Sequence, residues 1–302
     1  MILVDTTDEA AVSDGNCSIS EAISAANLGA MVDNCDGTAS DAIAFDLGTG
    51  TPMITVAGEL PEITAPVTIL GNTGGATRVE LRGPGGMGPE TGLFVAATAP
   101  GTVIRKMVIN SFPNAGISIE AADVTVTGSF IGTNADGTIA MYNFYGITAD
   151  ATSGLHIGGT SGVTPGGPCT GDCNLISGNE EGVFLGTDAV LEGNFIGTNA
   201  AGTSALPNVA GVKLNPNQTH ALVGGTAPGA GNLISGNSEF GIYSEQALTI
   251  QGNRIGTNAA GTGAVPNGPQ AATTAESFST AAATALRLIP RSSAGRRPPR
   301  GT

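Results

Sequence analysis

A six-residue motif, Asn-x-Ile-x-x-Asn, recurs along the chain and constrains its fold more than any other feature. Four copies begin at Asn174, Asn194, Asn232 and Asn253, and a variant with serine in the first position begins at Ser129. Each copy except the last is followed by a Gly-apolar-x-apolar segment. Repeats of this kind predict a solenoid, a coil of similar turns in which each turn packs on its neighbours.

The spacing of the copies indicates two kinds of turn. The second residues of the copies, with an earlier degenerate one included, are Val108, Phe130, Leu175, Phe195, Leu233 and Arg254. Short steps, such as the one from Val108 to Phe130, therefore alternate with steps about twice as long, such as the next one to Leu175. The short turns fit three brief strands with tight corners, and the long turns carry their excess in loops at 134–138, 199–203 and 258–262. The Gly-apolar segments predict one inward column, made of Ile117, Ile147, Val183, Val212 and Ile242.

The repeated asparagines are expected to be structural. An asparagine tolerates the left-handed backbone that a sharp corner demands, and its amide can bond to the turns above and below. We therefore do not count these residues among the catalytic candidates.

The N-terminal segment differs from the repeats. Ser18-Ile-Ser-Glu21 is a capping box, apolar residues follow at helical spacing, and Gly29 offers a helix stop. We expect this helix to cover the open end of the coil. The predicted organisation is an N-terminal strand and capping helix over 1–40, coils over 41–267, and a low-complexity, disordered tail over 268–302.

The charge of the chain is strongly negative and unevenly spread. The chain holds 25 acidic and 11 basic side chains, and beyond Gln270 lie only one of the acids, Glu276, and five of the arginines. The part up to Gln270 is therefore more acidic than the net charge of −14 indicates. This argues against nucleic acid and an anionic membrane surface as partners. No apolar run approaches the roughly 20 residues of a membrane span.

Cysteine usage indicates the compartment. The cysteines form two local pairs, Cys17 with Cys35 and Cys169 with Cys173, and their spacing favours disulfides in an oxidising compartment over a zinc site. We expect a secreted or cell-surface protein whose chain carries no signal peptide, because Met1–Asp5 leads directly into a strand.

The segment from Cys17 to Asn27 resembles the CSLREA-type N-terminal segment of secreted bacterial right-handed parallel β-helix proteins. Ile19 and Ser20 replace the Leu and Arg of that segment. The Asn-x-Ile-Gly-Thr-Asn phrases, with Gly-Gly-Thr at 158–160 and 224–226, are similar to the coils that follow in the same proteins. The resemblance covers residues 2–267. It implies an all-β, right-handed parallel β-helix with a capping helix, and it carries no catalytic signature.

Lys213 is the strongest candidate for chemistry on an outward face. Its expected neighbours on adjacent turns are Ser118, Thr148, Phe184 and Tyr243, with Glu180 and Glu181 nearby. A polysaccharide lyase would need such a base together with calcium, but no aspartate cluster that could hold calcium stands beside Lys213. An ordinary solvated lysine is the alternative, and the catalytic residues stay unassigned.

Other acid–base arrangements are weaker. The carboxylate pairs to consider for hydrolysis are Glu180 or Glu181 with Asp188 or Glu192, and Asp46 with Glu59. All are spaced like ordinary surface acids. His156 and His220 each lie beside a Gly-Gly-Thr segment with no serine motif near them.

An aromatic cluster, Tyr142, Phe144 and Tyr145, is expected in a protruding loop. Three exposed rings suggest a use, and sugar rings could stack on them and on Phe184 and Tyr243. The alternative is that the rings fold back and seal the side of the coil.

Three classes of function remain. We favour a non-catalytic surface scaffold that binds a polysaccharide or cell-surface glycan or mediates adhesion, without a cofactor. The second class is a carbohydrate-active enzyme, a lyase or epimerase on a uronic-acid polymer, with calcium. The third is an ice- or mineral-binding surface, which ranks last because Thr133, Thr198 and Thr257 recur only on alternate turns. End-to-end association of the coil with a second copy is a further expected contact.

Overall fold

The computed structural model describes residues 1–38, 42–150, 153–186, 188–215, 221–244, 248–268 and 286–288. These residues form one α-helix, α1 (Ile19–Leu28), and short strands throughout. The first strands are β1 (Ile2–Val4), β2 (Met31–Val32), β3 (Cys35–Asp36), β4 (Ala42–Phe45), β5 (Met53–Thr55), β6 (Thr68–Leu70), β7 (Val79–Arg82) and β8 (Leu93–Val95). The next are β9 (Val103–Arg105), β10 (Met107–Asn110), β11 (Ala115–Ile119), β12 (Thr125–Thr127), β13 (Phe130–Ile131), β14 (Tyr145–Asp150), β15 (Leu155–Gly158), β16 (Leu175–Ile176) and β17 (Glu181–Gly186). The last are β18 (Ala189–Glu192), β19 (Phe195–Ile196), β20 (Ala210–Leu214), β21 (Leu222–Gly224), β22 (Leu233–Ile234), β23 (Phe240–Ser244), β24 (Thr249–Gln251), β25 (Arg254–Ile255) and β26 (Leu286–Leu288).

Three parallel sheets contain nearly all of these strands. The first sheet has the order β1-β4-β6-β9-β12-β15-β18-β21-β24, the second β25-β22-β19-β16-β13-β10-β7-β5, and the third β26-β23-β20-β17-β14-β11-β8. From β9 onward the chain visits the first, second and third sheet in strict rotation. An all-β architecture of parallel sheets, of the solenoid kind that the repeats predict, is therefore confirmed.

The interior is a stack of apolar columns. The register pairs Ile117 with Ile147, then Val183, Val212 and Ile242, and all five side chains are fully buried. This is the column that the repeats predict. Complete burial of each such side chain contributes about 1.5–3 kcal/mol relative to exposure. A narrow coil filled in this way does not require large aromatic residues.

The helix at the N-terminus follows the sequence prediction closely. The Ser18 hydroxyl accepts a hydrogen bond from the backbone N–H of Glu21 (3.2 Å), and the Glu21 carboxylate accepts one from the Ser18 N–H (2.9 Å). Gly29 ends α1 in the left-handed conformation, with φ 59°. The helix packs on β1 and β4, and the predicted disulfide between Cys17 and Cys35 fastens the segments on either side of it.

Asparagines, most of them buried, connect successive turns in two ladders. Between the second and third sheets, each side-chain amide donates to the side-chain oxygen of the next asparagine at 2.8–3.0 Å; this ladder consists of Asn143, Asn179, Asn208, Asn237 and Asn267. Between the first and second sheets the corresponding ladder consists of Asn174, Asn194, Asn232 and Asn253. The predicted bonds between turns are confirmed for six asparagines of the repeated motif: Asn174, Asn179, Asn194, Asn232, Asn237 and Asn253. The other motif asparagines, Asn134, Asn199 and Asn258, bond within their own loops instead.

The predicted left-handed asparagines are wrong. The non-glycine residues with positive φ in the described part of the chain are Asp33, Lys106, Ser111 and Asp123. The corners of the motif are instead made by glycines, such as Gly178 (φ 79°), Gly197 (φ 91°) and Gly236 (φ 76°). Since these glycines take the strained backbone, the asparagine side chains only need to satisfy buried polar groups.

The loops of the long turns share one design. Asn199 accepts hydrogen bonds from the backbone N–H groups of Thr203 and Ser204, and Asn134 and Asn258 close their own loops in the same way. Thr133 and Thr198 lie at the base of these loops and are fully buried. They therefore do not present the exposed threonine ladder that an ice- or mineral-binding surface requires.

Two further predictions concern the insert and the tail. Cys169 and Cys173 form the second predicted disulfide, and they pack with Leu175 and Phe195 in an apolar cluster on the second sheet. The predicted tail, 268–302, lies outside the described residues except for Gly268 and β26. That short strand pairs with β23 at the edge of the third sheet.

Candidate ligand-binding face

The outer side of the third sheet carries the residues that the sequence analysis singles out. Register places Thr148 beside Phe184, Phe184 beside Lys213, and Lys213 beside Tyr243. These are the predicted neighbours, and each of the four side chains is partly exposed. Because paired strands lie about 4.8 Å apart, Phe184 and Tyr243 stand roughly two strand spacings from each other with Lys213 between them.

Aromatic side chains extend this row towards the preceding turns. The ring of Tyr145 lies 5.6 Å from that of Phe184, and the ring of Phe144 meets Tyr145 edge-on at 4.8 Å. Tyr142 and Phe144 are exposed, at 46% and 39% of their surface. The loop prediction is wrong for Tyr145, which is the first residue of β14 and packs on the sheet face. We name Tyr142, Phe144, Tyr145, Phe184, Lys213, Phe240 and Tyr243 together the aromatic face.

Phe240 is the member of this face that the sequence analysis misses. Its ring lies 5.4 Å from that of Tyr243. Register relates it, through Ala210 and Glu181, to Tyr145. The signal was available, because Tyr145, Glu181 and Phe240 each immediately precede the glycine of a Gly-apolar segment.

An ion pair lies within the aromatic face. The Lys213 ammonium pairs with Oε1 of Glu181, one strand away, and lies 5.5 Å from the centre of the Phe184 ring. The Glu181 side chain is only 13% exposed, and its second oxygen, Oε2, is buried without a hydrogen-bond partner. The pair therefore places a fixed charge of each sign beside aromatic surfaces.

Tyr142 stands at the border of the face with a perturbed hydroxyl. Partial burial raises its pKa above the usual range, and the negative charge of Glu180 raises it further. The phenol therefore stays protonated over the physiological range, where it can donate and accept hydrogen bonds.

One of the carboxylate pairs considered for hydrolysis is divided between two sheets. Glu181 belongs to β17 in the third sheet, whereas Glu192 belongs to β18 in the first sheet. Asp46 and Glu59 are both exposed. His156 is exposed on the first sheet, and His220 lies outside the described residues.

Within the described ranges, no group of three or more His, Cys, Asp or Glu side chains could hold a metal ion. No helix of the described chain is long and apolar enough to cross a membrane.

Comparison of the sequence with protein-family models and with curated proteins, and of the fold with solved structures, found no match.

Proposed function

We propose that the protein is an extracellular or cell-surface scaffold, built as a right-handed parallel β-helix, whose aromatic face binds a glycan without catalysing its cleavage. The right hand follows the strong preference of connections between parallel strands of one sheet. Two disulfides support an oxidising compartment, and the similarity to secreted β-helix proteins points the same way.

The observation that carries the proposal is the row of partly exposed rings on a rigid sheet. Phe184 and Tyr243 flank Lys213 over a length comparable with a disaccharide. Their backbones are fixed because β17 and β23, which carry them, each pair in parallel with β20, which carries Lys213. Aromatic rings offer sugars a flat apolar surface, and Lys213, Glu181 and the tyrosine hydroxyls offer hydrogen bonds at its margin. Few torsions must be frozen on binding, which favours affinity.

The acidic chain favours a neutral glycan over a polyanionic one. All but one of the acids lie in the part of the chain up to Gln270, so a uronic-acid polymer would approach a repulsive field unless cations bridged it. The positive charge of Lys213, the lysine of this face, is already balanced by the negative charge of Glu181 in their ion pair. A neutral hexose chain meets neither obstacle.

Affinity electrophoresis tests the proposal. The full-length protein is run in native gels that contain neutral polysaccharides, and retardation should appear with at least one of them. Phe184→Ala and Tyr243→Ala should each weaken that binding about tenfold, the usual effect of removing a central aromatic contact. Phe94→Ala is the matched control, because Phe94 lies in the same outward column but is separated from Phe184 by Ser118 and Thr148. Absence of retardation on every glycan, or equal weakening by Phe94→Ala, would contradict the proposal.

The second candidate is a uronate lyase, and the Lys213–Glu181 pair is the observation that favours it. Its assay is the absorbance of unsaturated uronate products from pectins, alginates and glycosaminoglycans in the presence of calcium. A rise in absorbance that is lost in Lys213→Ala would replace the scaffold proposal with an enzyme. We expect no rise.

A further inference from the structure

Positive charge is concentrated at one place outside the aromatic face. The basic residues of the chain up to Gln270 are Arg78, Arg82, Arg105, Lys106, Lys213 and Arg254. Half of them, Arg78, Arg105 and Lys106, gather where the first sheet meets the insert closed by Cys169–Cys173. Arg105 pairs with Asp172 at 3.0 Å, and the Lys106 ammonium donates to the carbonyl of Gly171. Arg105 and Lys106 therefore share one nearby carboxylate, Asp172, and the charge of Arg78 also acts on Lys106, which leaves a local positive balance on a strongly acidic protein.

The pKa values of these groups reflect the crowding. Burial lowers the pKa of Arg78 to about 10. Burial also lowers the pKa of Lys106, and the charges of Arg78 and Arg105 lower it further, while Asp172 opposes them. At Lys106, repulsion from Arg78 and Arg105 therefore adds to the effect of burial, and the charge of Asp172 opposes both.

An open recess of about 390 Å³ lies beside this cluster on the outer side of the first sheet. Successive turns contribute Arg105, then Thr125 and Thr127, then His156 and Gly158, and Asp172 closes one side. Gly158 comes directly after Ile157, the register partner of Val126, and it therefore lies beside Thr127. It has φ 91° and carries no side chain. A Cβ on Gly158 would lie 2.0 Å from the backbone oxygen of Glu192 on the next turn, so only glycine fits at this wall of the recess.

Thr127 supplies the independent observation. Only 6% of its surface is exposed, it lines the recess, and its hydroxyl has no hydrogen-bond partner. A buried hydroxyl without a partner is unfavourable and is usually explained by an absent water, ion or ligand. Arg105, its register neighbour, uses only one Nη2–H on Asp172, and its side chain remains 45% exposed. The Thr127 hydroxyl, which has no partner, therefore lies on the turn next to Arg105, whose guanidinium keeps donors that Asp172 does not use.

We propose that this recess binds a single oxyanion group of the sulfate, phosphate or carboxylate class. Arg105 donates from its free guanidinium edge, Thr127 donates from its hydroxyl, and the exposed ring of His156 lies at the mouth. Asp172 orients Arg105 without using all of its donors. The surrounding acidic surface disfavours a long polyanion, so the ligand is a free anion or one acidic substituent on an otherwise neutral molecule.

Proton NMR of the histidine imidazoles provides the readout, since the chain has only two histidines. Inorganic sulfate is titrated into the full-length protein at constant ionic strength, with chloride as the replaced ion, so that general screening stays fixed. The His156 signals, assigned with the His156→Gln variant, should shift saturably. Parallel titrations with phosphate, a sulfated monosaccharide and glucuronic acid separate a free anion from a sugar substituent.

Variants locate the bound anion. Thr127→Val preserves the shape of the side chain but removes the hydroxyl, and it should weaken sulfate binding about fivefold or more. Arg105→Gln should do the same, and Thr127→Ser should retain binding. Arg82→Gln is the control, because Arg82 lies on the second sheet in a salt bridge with Glu80.

Two results would overturn the proposal: no saturable shift with any of the four ligands, or equal affinity in the wild type and Thr127→Val. Thermal melting of each variant verifies that it is folded. Phe184→Ala should leave sulfate binding unchanged, so failure of this site and failure of the glycan-binding face are distinguishable.

Discussion

At the residue scale, Asn208 shows how a buried asparagine of a ladder stabilises the coil. Asn208 is fully buried; its oxygen accepts from both the backbone and side-chain N–H groups of Asn179, and its amide donates to Ile176 and Asn237. Asn208→Ala therefore leaves several buried polar groups without partners at once. We expect a loss of about 3 kcal/mol or more in the free energy of unfolding, measured by urea denaturation.

Asn199 provides the matched comparison for Asn208. It is partly exposed and accepts from the backbone of its own loop, where water can replace it. Asn199→Ala should cost about 1 kcal/mol. Equal losses for the two variants would show that burial in the ladder is not the source of the effect.

The ladder asparagines also show which contacts between turns a single sequence can predict. The regular spacing of Asn174 and Asn194 predicts contacts between turns, and the ladder confirms them. It could not predict Asn143, which lies inside the aromatic cluster between Tyr142 and Phe144 and falls outside the repeated motif. Its ladder position depends on the length of the preceding loop, which the motif does not determine.

At the element scale, the capping helix can be tested through its N-cap residue, Ser18. Ser18→Ala removes the N-cap of α1 and leaves the Glu21 N–H without its acceptor, so we expect about 1 kcal/mol of destabilisation and a lower melting temperature. Ser24→Ala is the control within the same helix, since the Ser24 hydroxyl only donates back to the carbonyl of Ser20. That bond contributes little to a helix. A similar loss in both variants would mean that the cap is not what fixes the helix.

The elements differ in how well the sequence predicts them. Period-two apolar patterns place the inward column at Ile147 and Val183 correctly, because a strand has only two faces. The sequence predicts a loop at Tyr145, because it follows Phe144 in an aromatic run. In the structure, pairing with β11 and β17 brings Tyr145 into the sheet, and this contact involves residues distant in sequence.

At the scale of the whole molecule, the number of residues in each turn predicts which side chains lie next to each other better than composition does. Arg105 and Thr127 are separated by one short turn, the same step that leads from Val108 to Phe130, so their adjacency could have been read from the repeat spacing. Asp172 could not be placed in this way, because it reaches the cluster from the insert of a long turn. The candidate sites therefore divide into a part set by the regular turns, which is predictable, and a part set by their insertions.

A coil in which each turn contacts only its neighbours should respond locally to damage. Leu191 is fully buried in β18, between Ile157 of β15 and Val223 of β21. Leu191→Ala creates a cavity that should cost about 2–5 kcal/mol. Amide hydrogen exchange should accelerate in β15, β18 and β21 but not in β4 and β6, which lie several turns away in the same sheet.

Leu222→Ala is the control for this local response, because Leu222 lies on β21 with its side chain partly exposed. It should change stability by no more than about 0.5 kcal/mol. Uniform acceleration along the chain in Leu191→Ala would instead mean that the asparagine ladders couple all the turns into one cooperative unit. The hydrogen-exchange pattern thus decides whether the axial ladders or the individual turns set the size of the folding unit.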